Sequence, residues 1–366
     1  MAKTFGVGII GCGNIAQAYF NGCAMFPILN VISCADIRRE AAEEAAVKNG
    51  VRACTVEELL ADPEVDIVIN LTVPKVHAEV SLRALEAGKH VHCEKPLATT
   101  LEDGKRVVET AKANGLRAGC APDTFLGAGL QTCRKILDDG ALGRVLSGTA
   151  FMLGWGPEGW HPNPAFFYQR GGGPMLDMGP YYMTALVHLL GPVQAVSAMA
   201  VKSFDERIAG CKEHFGERLP VEVPTHNSGT LLFNSGTVVT VGISFDVRRH
   251  THTPLELYGA EGSLVIPDPN TFGGPVKLFR NGEEDWQEMP LTHRYDTNSR
   301  GIGVADMAHA IQEDRPHRCS AAQAYHVLEI MLSFEKSSLE GRTIDLESTC
   351  PQPAAFPPEL PAGVLD

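Results

Sequence analysis

No apolar run in this chain approaches the length that crosses a bilayer, so no helical membrane span is expected. A basic excess is also missing. The net charge of -13 leaves no cationic face for nucleic acid or an anionic membrane surface. Cysteine is not scarce, at 10 residues, but no two are spaced C-x-x-C. Cys12, Cys34 and Cys93 fall in or beside apolar strand-like runs, where a thiol behaves as a small hydrophobe. This usage reads as reduced, buried thiols in a cytoplasmic protein. The pairs His90/His92 and His250/His252 lack a third ligand at a telling spacing, so they read as structural and no metal site is expected. The opening "MAKTFGVGIIGCGN" lacks a signal-peptide pattern, because its apolar run is short and breaks into glycines. No internal repeat or low-complexity linker is present.

A length of 366 residues accommodates two domains with substantial cores. In the first third, strand and helix patterns alternate. Residues 5–10 (FGVGII) read as a buried parallel strand, followed by Gly11-Cys12-Gly13-Asn14-Ile15-Ala16 and a helical pattern to about Met25. This is G-x-G-x-x-A between a strand and a helix. Gly11 permits the tight turn, Gly13 lets a pyrophosphate reach the backbone, and Ala16 lets helix and strand pack closely. The helix start then offers N–H groups and a positive dipole end to phosphates. A second strand, 29–35, ends at Asp36, where the fingerprint expects an acid for the adenosine ribose. That acid favours NAD, while Arg38 and Arg39 keep NADP open. Asp36 also reads as an N-cap for a helix over 38–49.

The alternation continues with a capping box at Thr55–Glu58, a strand over 66–71 ending at Thr72-Val73-Pro74, and a helix over 76–87 that includes His77. A strand over 89–93 then runs into Glu94-Lys95-Pro96. Thr99 with Glu102 predicts a second capping box, and residues 116–120 a last strand. The pattern implies a doubly wound parallel sheet whose ligands bind beyond the carboxyl ends of its strands. Gly11–Ala16, Asp36, Thr72–Pro74 and Glu94–Lys95 all fall on that rim. Pro96 keeps Lys95 extended. Desolvation near other cations would drop the lysine's pKa; pairing with Glu94 would make it a surface residue.

Beyond about residue 123 a helix over 127–139 is followed by strands at 144–152, 193–202, 228–233, 236–245, 254–259, 263–266 and 276–279, with a hairpin turn at 234–237. Helices follow at 303–313 and 320–339, and the proline-rich tail 350–366 reads as extended or disordered. The expected fold class is an α/β Rossmann domain over 1–122 plus an α+β domain over 123–366 with a large, mostly antiparallel open sheet. Within 169–192, Pro180 suits the first turn of a helix to Leu190, with Asp177 just ahead of it and Tyr181 in its first turn. His188 reads as structural.

The G-x-G-x-x-A loop, Glu94-Lys95-Pro96 and the G-G-G-x-x-x-D-x-G stretch at 171–179 together resemble the Gfo/Idh/MocA family of NAD(P)-dependent sugar oxidoreductases. The resemblance implies a Rossmann domain followed by a sheet domain, and a homo-oligomer, dimer or tetramer, formed through that sheet. It implies Lys95 as the active-site lysine and Asp177 as the active-site carboxylate. Many members carry histidine where this chain has Tyr181, and aspartate where it has Thr184. The runs "APDTFLG" at 121–127 and "HPNPAFFYQ" at 161–169 resemble a subgroup that acts on glycosides, including at the sugar C3 hydroxyl. The implied reaction moves hydride from a secondary sugar hydroxyl to nicotinamide, with Tyr181, acidified by Lys95, taking the proton. Asp123, Trp160, His161, Tyr168 and Arg300 are the candidate sugar contacts. Two other readings are NAD-dependent glycoside cleavage by oxidation and elimination, and a dinucleotide-sensing regulator without catalysis.

Overall fold

The computed structural model describes residues 3–366; Met1 and Ala2 of the N-terminal stretch lie outside the described residues. The first lobe is built on six strands: β1 Phe5–Ile10, β2 Leu29–Ala35, β3 Arg52–Ala53, β4 Ile67–Asn70, β5 His90–Cys93 and β6 Ala118–Cys120. They form one parallel sheet in the order β3-β2-β1-β4-β5-β6. Order reverses at β1, so the loops after β1 and β4 open a crevice there. Every residue of β1 is buried, as the near-continuous apolar run demands of a strand covered on both faces.

Five helices wrap this sheet: α1 Ala16–Cys23, α2 Arg39–Asn49, α3 Val56–Ala61, α4 His77–Glu86 and α5 Leu101–Ala113. The expected box opens α3: Thr55 accepts from Glu58 N and Glu58 reaches back to Thr55 N at 2.8 Å. The second expected box is displaced by one residue. Thr100, not Thr99, caps α5, accepting from Asp103 N at 3.2 Å and donating to Asp103 at 2.8 Å.

The second lobe begins with α6 Ala128–Asp138 and β7 Val145–Leu153, then a short helix α7 Gly173–Asp177 and α8 Gly179–Leu190. Strands β8 Val193–Val201, β9 Glu206–Ile208, β10 Arg218–Pro220, β11 His226–Phe233, β12 Val238–Ser244, β13 Leu255–Gly259, β14 Gly262–Ile266, β15 Val276–Arg280 and β16 Gln287–Met289 follow. Helices α9 Ile302–Gln312 and α10 Ala321–Glu340 and strand β17 Ile344–Asp345 complete it. Nine strands form one sheet in the order β16-β15-β14-β13-β7-β12-β11-β8-β17, antiparallel except where β12 runs parallel to β7. β9 and β10 pair separately. One face of the large sheet is covered by α6, α7 and α10, with α8 packed on α6 and α10; the other is open.

The chain returns to the first lobe at its end. Cys120 N donates to Cys319 O at 3.0 Å, and α10 packs on α5. Of the two readings of the tail beyond Cys350, extended or disordered, the structure shows the first: an irregular segment packed on the molecule. Phe356 and Leu365 are buried, and Arg318 binds the carbonyls of Ala354 and Ala355 and the Asp366 carboxylate. Its prolines prevent regular structure, and side-chain donors bind its carbonyls instead.

Candidate active site

The glycine loop leaves β1 with Gly11 at φ +103°. A Cβ there would sit 2.6 Å from the Leu71 backbone, so only glycine permits this turn against the β4 loop. Cys12 N donates to one Asp36 oxygen at 2.8 Å, and the other oxygen accepts from Arg38 N at 2.8 Å. Asp36 therefore ties β2 to the glycine loop and does not cap α2, whose N-cap is Arg38 without a side-chain bond. Each carboxylate oxygen keeps a lone pair for a ribose hydroxyl.

The N–H groups of Gly13, Asn14 and Ile15 find no partner among the described residues, and α1 carries no side-chain cap. A Cβ on Gly13 would meet nothing within 4 Å. Unpaired donors at a helix start, beside open space left by a glycine, fit a pyrophosphate. The loop thus suits a dinucleotide on its own geometry.

A cavity of about 290 Å³ lies beside this loop. The first lobe lines it with Ile15, Leu71, Thr72, Pro74, His77, Glu94, Lys95 and Pro96. The second lobe contributes Phe166, Phe167, Gly171, Gly172, Leu176, Asp177 and Tyr181. His77 is only 1% exposed and works as a staple: one ring nitrogen meets Thr72 O at 2.9 Å, the other Pro96 O at 2.7 Å. Burial, foremost, lowers its pKa against the pull of those carbonyls. Thr72 itself bonds Asn70 Oδ1 at 2.7 Å.

Lys95 crosses the lobes. Its ammonium donates to Asp177 O at 2.6 Å and Oδ1 at 2.9 Å, and lies 5.1 Å from the Tyr181 ring centre. Glu94 does not pair with that ammonium. It accepts from Tyr19 Oη at 2.9 Å and from Lys95 N at 2.8 Å, and so fixes the backbone under the lysine. Asp177 closes α7 and Tyr181 stands in the first turn of α8, with Met178 between the two helices. The short helix α7 was not expected, and its presence aims Asp177 back at Lys95.

Burial alone would lower the lysine's pKa, but the carboxylates of Asp177, first, and Glu94 outweigh it and hold the ammonium well above the usual range. The depression that neighbouring cations would cause is therefore absent: carboxylates flank the ammonium instead. Burial raises the Tyr181 phenol, and it stays raised although Lys95 and Arg300 both pull it down. Acidification by the ammonium is real but does not win. The resting pair is a cation and a neutral phenol.

The remaining candidates separate. Arg300 lies close enough to Tyr181 to act on it by charge, while its guanidinium donates to Asn298 Oδ1 at 3.2 Å. Asp123 faces no cavity: it is 1% exposed and accepts from Gly301 N at 2.8 Å and Gly303 N at 3.2 Å, which fixes the turn carrying Arg300. Trp160 points to solvent at 71% exposure, and His161 bonds Asn163; neither lines the cavity. Tyr168 is fully buried, with its hydroxyl on Glu158 rather than in the cleft. The sequence reading named Tyr168 as a sugar contact and passed over Phe166 and Phe167, which line the cavity.

His188 is buried against Gln131 at 3.2 Å, the structural place expected of it. Among the described residues no group of three His, Cys, Asp or Glu could hold a metal ion. No helix there is long and apolar enough to cross a membrane.

Comparisons with known proteins agree with this geometry. Residues 5–121 match the GFO/IDH/MocA model described as an oxidoreductase family with an NAD-binding Rossmann fold. Residues 130–265 match the GFO/IDH/MocA C-terminal domain. A curated relative, 1,5-anhydro-D-fructose reductase of Ensifer adhaerens, is 29% identical over 93% of this chain and 98% of its own. D-glucoside 3-dehydrogenase of Escherichia coli K12 is 26% identical over 93% of this chain and 97% of its own. The solved levoglucosan dehydrogenase in complex with NADH superposes with a TM-score of 0.82 at 23% identity, covering 94% of this chain and 100% of that one.

Proposed function

This chain belongs to the GFO/IDH/MocA oxidoreductase family, and from that premise we propose that it transfers a hydride between a secondary hydroxyl of a sugar or glycoside and nicotinamide. The sugar C3 hydroxyl is our candidate position, supported by the likeness to D-glucoside 3-dehydrogenase. The observation that carries the reading is the contact of Lys95 with Asp177 at 2.9 Å across the two lobes, beside the glycine loop.

NAD, when bound, supplies the hydride acceptor. We assign its pyrophosphate to the N–H groups of Gly13, Asn14 and Ile15, with Gly11 and Ala16 shaping the loop. Its ribose would be held by Asp36, with the exposed Arg38 guanidinium 4.0 Å from that acid. Thr72, Pro74, His77 and Glu94 frame the nicotinamide side of the cavity. Lys95 donates a hydrogen bond to the reacting oxygen and stabilises its developing negative charge. Asp177 holds the ammonium in place and keeps it charged. Tyr181 gives its proton to the oxygen in the reducing direction and takes one in the oxidising direction.

For domain organisation we propose 1–122 as the dinucleotide-binding unit and 123–366 as the substrate-binding and association unit. We also propose a homo-oligomer, dimer or tetramer, through the open face of the large sheet. Its exposed apolar side chains support this: Met199 at 67%, Val201 at 50%, Val238 at 42% and Leu232 at 36%. The ten free cysteines support a reducing, cytoplasmic setting.

The test is an absorbance screen for reduced nicotinamide over levoglucosan, methyl glucosides, D-xylose and 1,5-anhydro-D-glucitol, with the product carbonyl located by NMR. Turnover on one or more sugars is expected. Aglycone release without net NADH would favour elimination instead. Tight NAD binding with no turnover would favour a sensor.

A further inference from the structure

Beneath the loop over 155–168 lies a polar cluster that the chemistry above does not use. Arg207 is 4% exposed, and its guanidinium reaches Glu158 at 2.7 Å and Asp246 at 2.9 Å. The Tyr168 hydroxyl donates to the same Glu158, and Thr225 donates to Asp246 at 2.6 Å. A buried ion pair is seldom a source of stability by itself, since desolvation offsets its attraction. It does fix whatever it touches in one geometry. Here it fixes Tyr168, the last residue of a single 3₁₀ turn, Ala165–Tyr168.

That turn carries Phe166, which lines the catalytic cavity while remaining 39% exposed. Phe167, buried, backs it with ring centres 3.9 Å apart, and His161 meets Phe166 edge-on at 5.6 Å. Gly172 lets the glycine loop press on the same turn: a Cβ there would fall 2.3 Å from Phe166 O. The ring is thus clamped from below, behind and beside, with one surface left facing the space next to Lys95.

We propose that Phe166 is the stacking face for the apolar C–H surface of the sugar ring, and that the Tyr168–Glu158–Arg207 cluster is its positioning foundation. This rests on the oxidoreductase reading of the cleft. An aromatic face opposite a few convergent polar groups orients a pyranose: the ring lies flat on carbon and its hydroxyls meet Lys95, Asp177 and Tyr181. A fixed ring costs the ligand less ordering than a mobile one.

The experiment uses full-length protein with methyl β-D-glucopyranoside, read by calorimetry on the NADH-loaded protein and by steady-state kinetics with NAD. Phe166→Ala and Phe166→Leu are expected to weaken sugar binding and raise the sugar KM by about tenfold, the scale of one well-packed aromatic contact. The KM for NAD and kcat should stay within roughly threefold, since a ring remote from the reacting oxygen binds ground and transition states alike. Phe166→Trp should restore most of the sugar affinity. Tyr168→Phe, which keeps the ring but frees Glu158, should raise the sugar KM by a smaller factor and leave the KM for NAD unmoved. An unchanged sugar KM in both Phe166→Ala and Phe166→Leu, or a loss confined to NAD, overturns the proposal. An unchanged sugar KM in Tyr168→Phe removes the foundation. A wild-type protein that binds the glucoside without oxidising it sinks the hydride reading alone, because the calorimetric series still tests the stacking face. Neither binding nor turnover by the wild type overturns both.

Discussion

Lys95 follows a buried strand, and the carboxylates of Asp177 and Glu94 hold its ammonium charged. In the proposed reaction the lysine serves as a hydrogen-bond donor and electrostatic stabiliser rather than a base. Replacing it by alanine should cost roughly 10²–10⁴ in turnover while leaving NAD affinity near normal, measured by initial rates and calorimetry. Tyr181 is neutral at rest and its pKa is raised, chiefly by burial. In the proposed reaction, oxidation needs Tyr181 as phenolate to accept the alcohol's proton, so its rate should climb as pH rises into the alkaline range. Reduction uses the phenol as donor and should be sustained at neutral pH. A pH profile run in both directions checks this, and Tyr181→Phe should flatten it. The lysine, acid and tyrosine were legible because motif spacing places them on loops that a doubly wound sheet must bring to one rim. Tyr168 and Asp123 were misread for a common reason. Sequence shows that a side chain is polar, but not whether its partner is a ligand or a buried Glu158 and a pair of backbone N–H groups.

Elements are where local chemistry meets packing. Gly11 combines a left-handed φ with contact on Leu71, so Gly11→Ala should abolish NAD binding and cost about 1–2 kcal/mol or more in folding stability. Calorimetry and chemical denaturation read the two separately. Gly22, on the inner face of α1, has space for no side chain: its Cβ would lie 1.6 Å from Arg300 O. Gly22→Ala should lower stability by about 1–3 kcal/mol, as overpacking does, and displace the turn beside Tyr181. The loss should appear in the thermal midpoint together with a fall in kcat. Long apolar runs such as β1 announced themselves. The cap of α5 did not, because Thr99 and Thr100 each have an acid three residues on and only tertiary packing chooses between them. The short strands β3, β9, β10, β16 and β17, of two or three residues each, carry too few positions to show a period; β6 is as short but fell within the expected strand at 116–120.

At the scale of the molecule, the two lobes share α9 and α10, a return that no local pattern announces because it is set by contacts far apart in sequence. His92 and His317 are buried within that junction and lowered by burial to about 4. Both are neutral when folded and bind protons more readily when unfolded. Stability should thus be full above the ordinary histidine pKa near 6.5 and fall as pH drops toward 4, by up to about 1.4 kcal/mol per pH unit for each. Denaturant midpoints across that range check it, and a flat profile would place partners on those rings. Sedimentation should find an oligomer, and a charged substitution at Met199 on the open sheet face should dissociate it.

The most direct measurement is isotopic. The protein is incubated with NAD and a methyl glucoside deuterated at every ring carbon, and the reduced cofactor is weighed by mass spectrometry. Direct transfer from substrate carbon to coenzyme predicts that each reduced nicotinamide carries one deuterium. Unlabelled NADH, or none with any sugar, would contradict it.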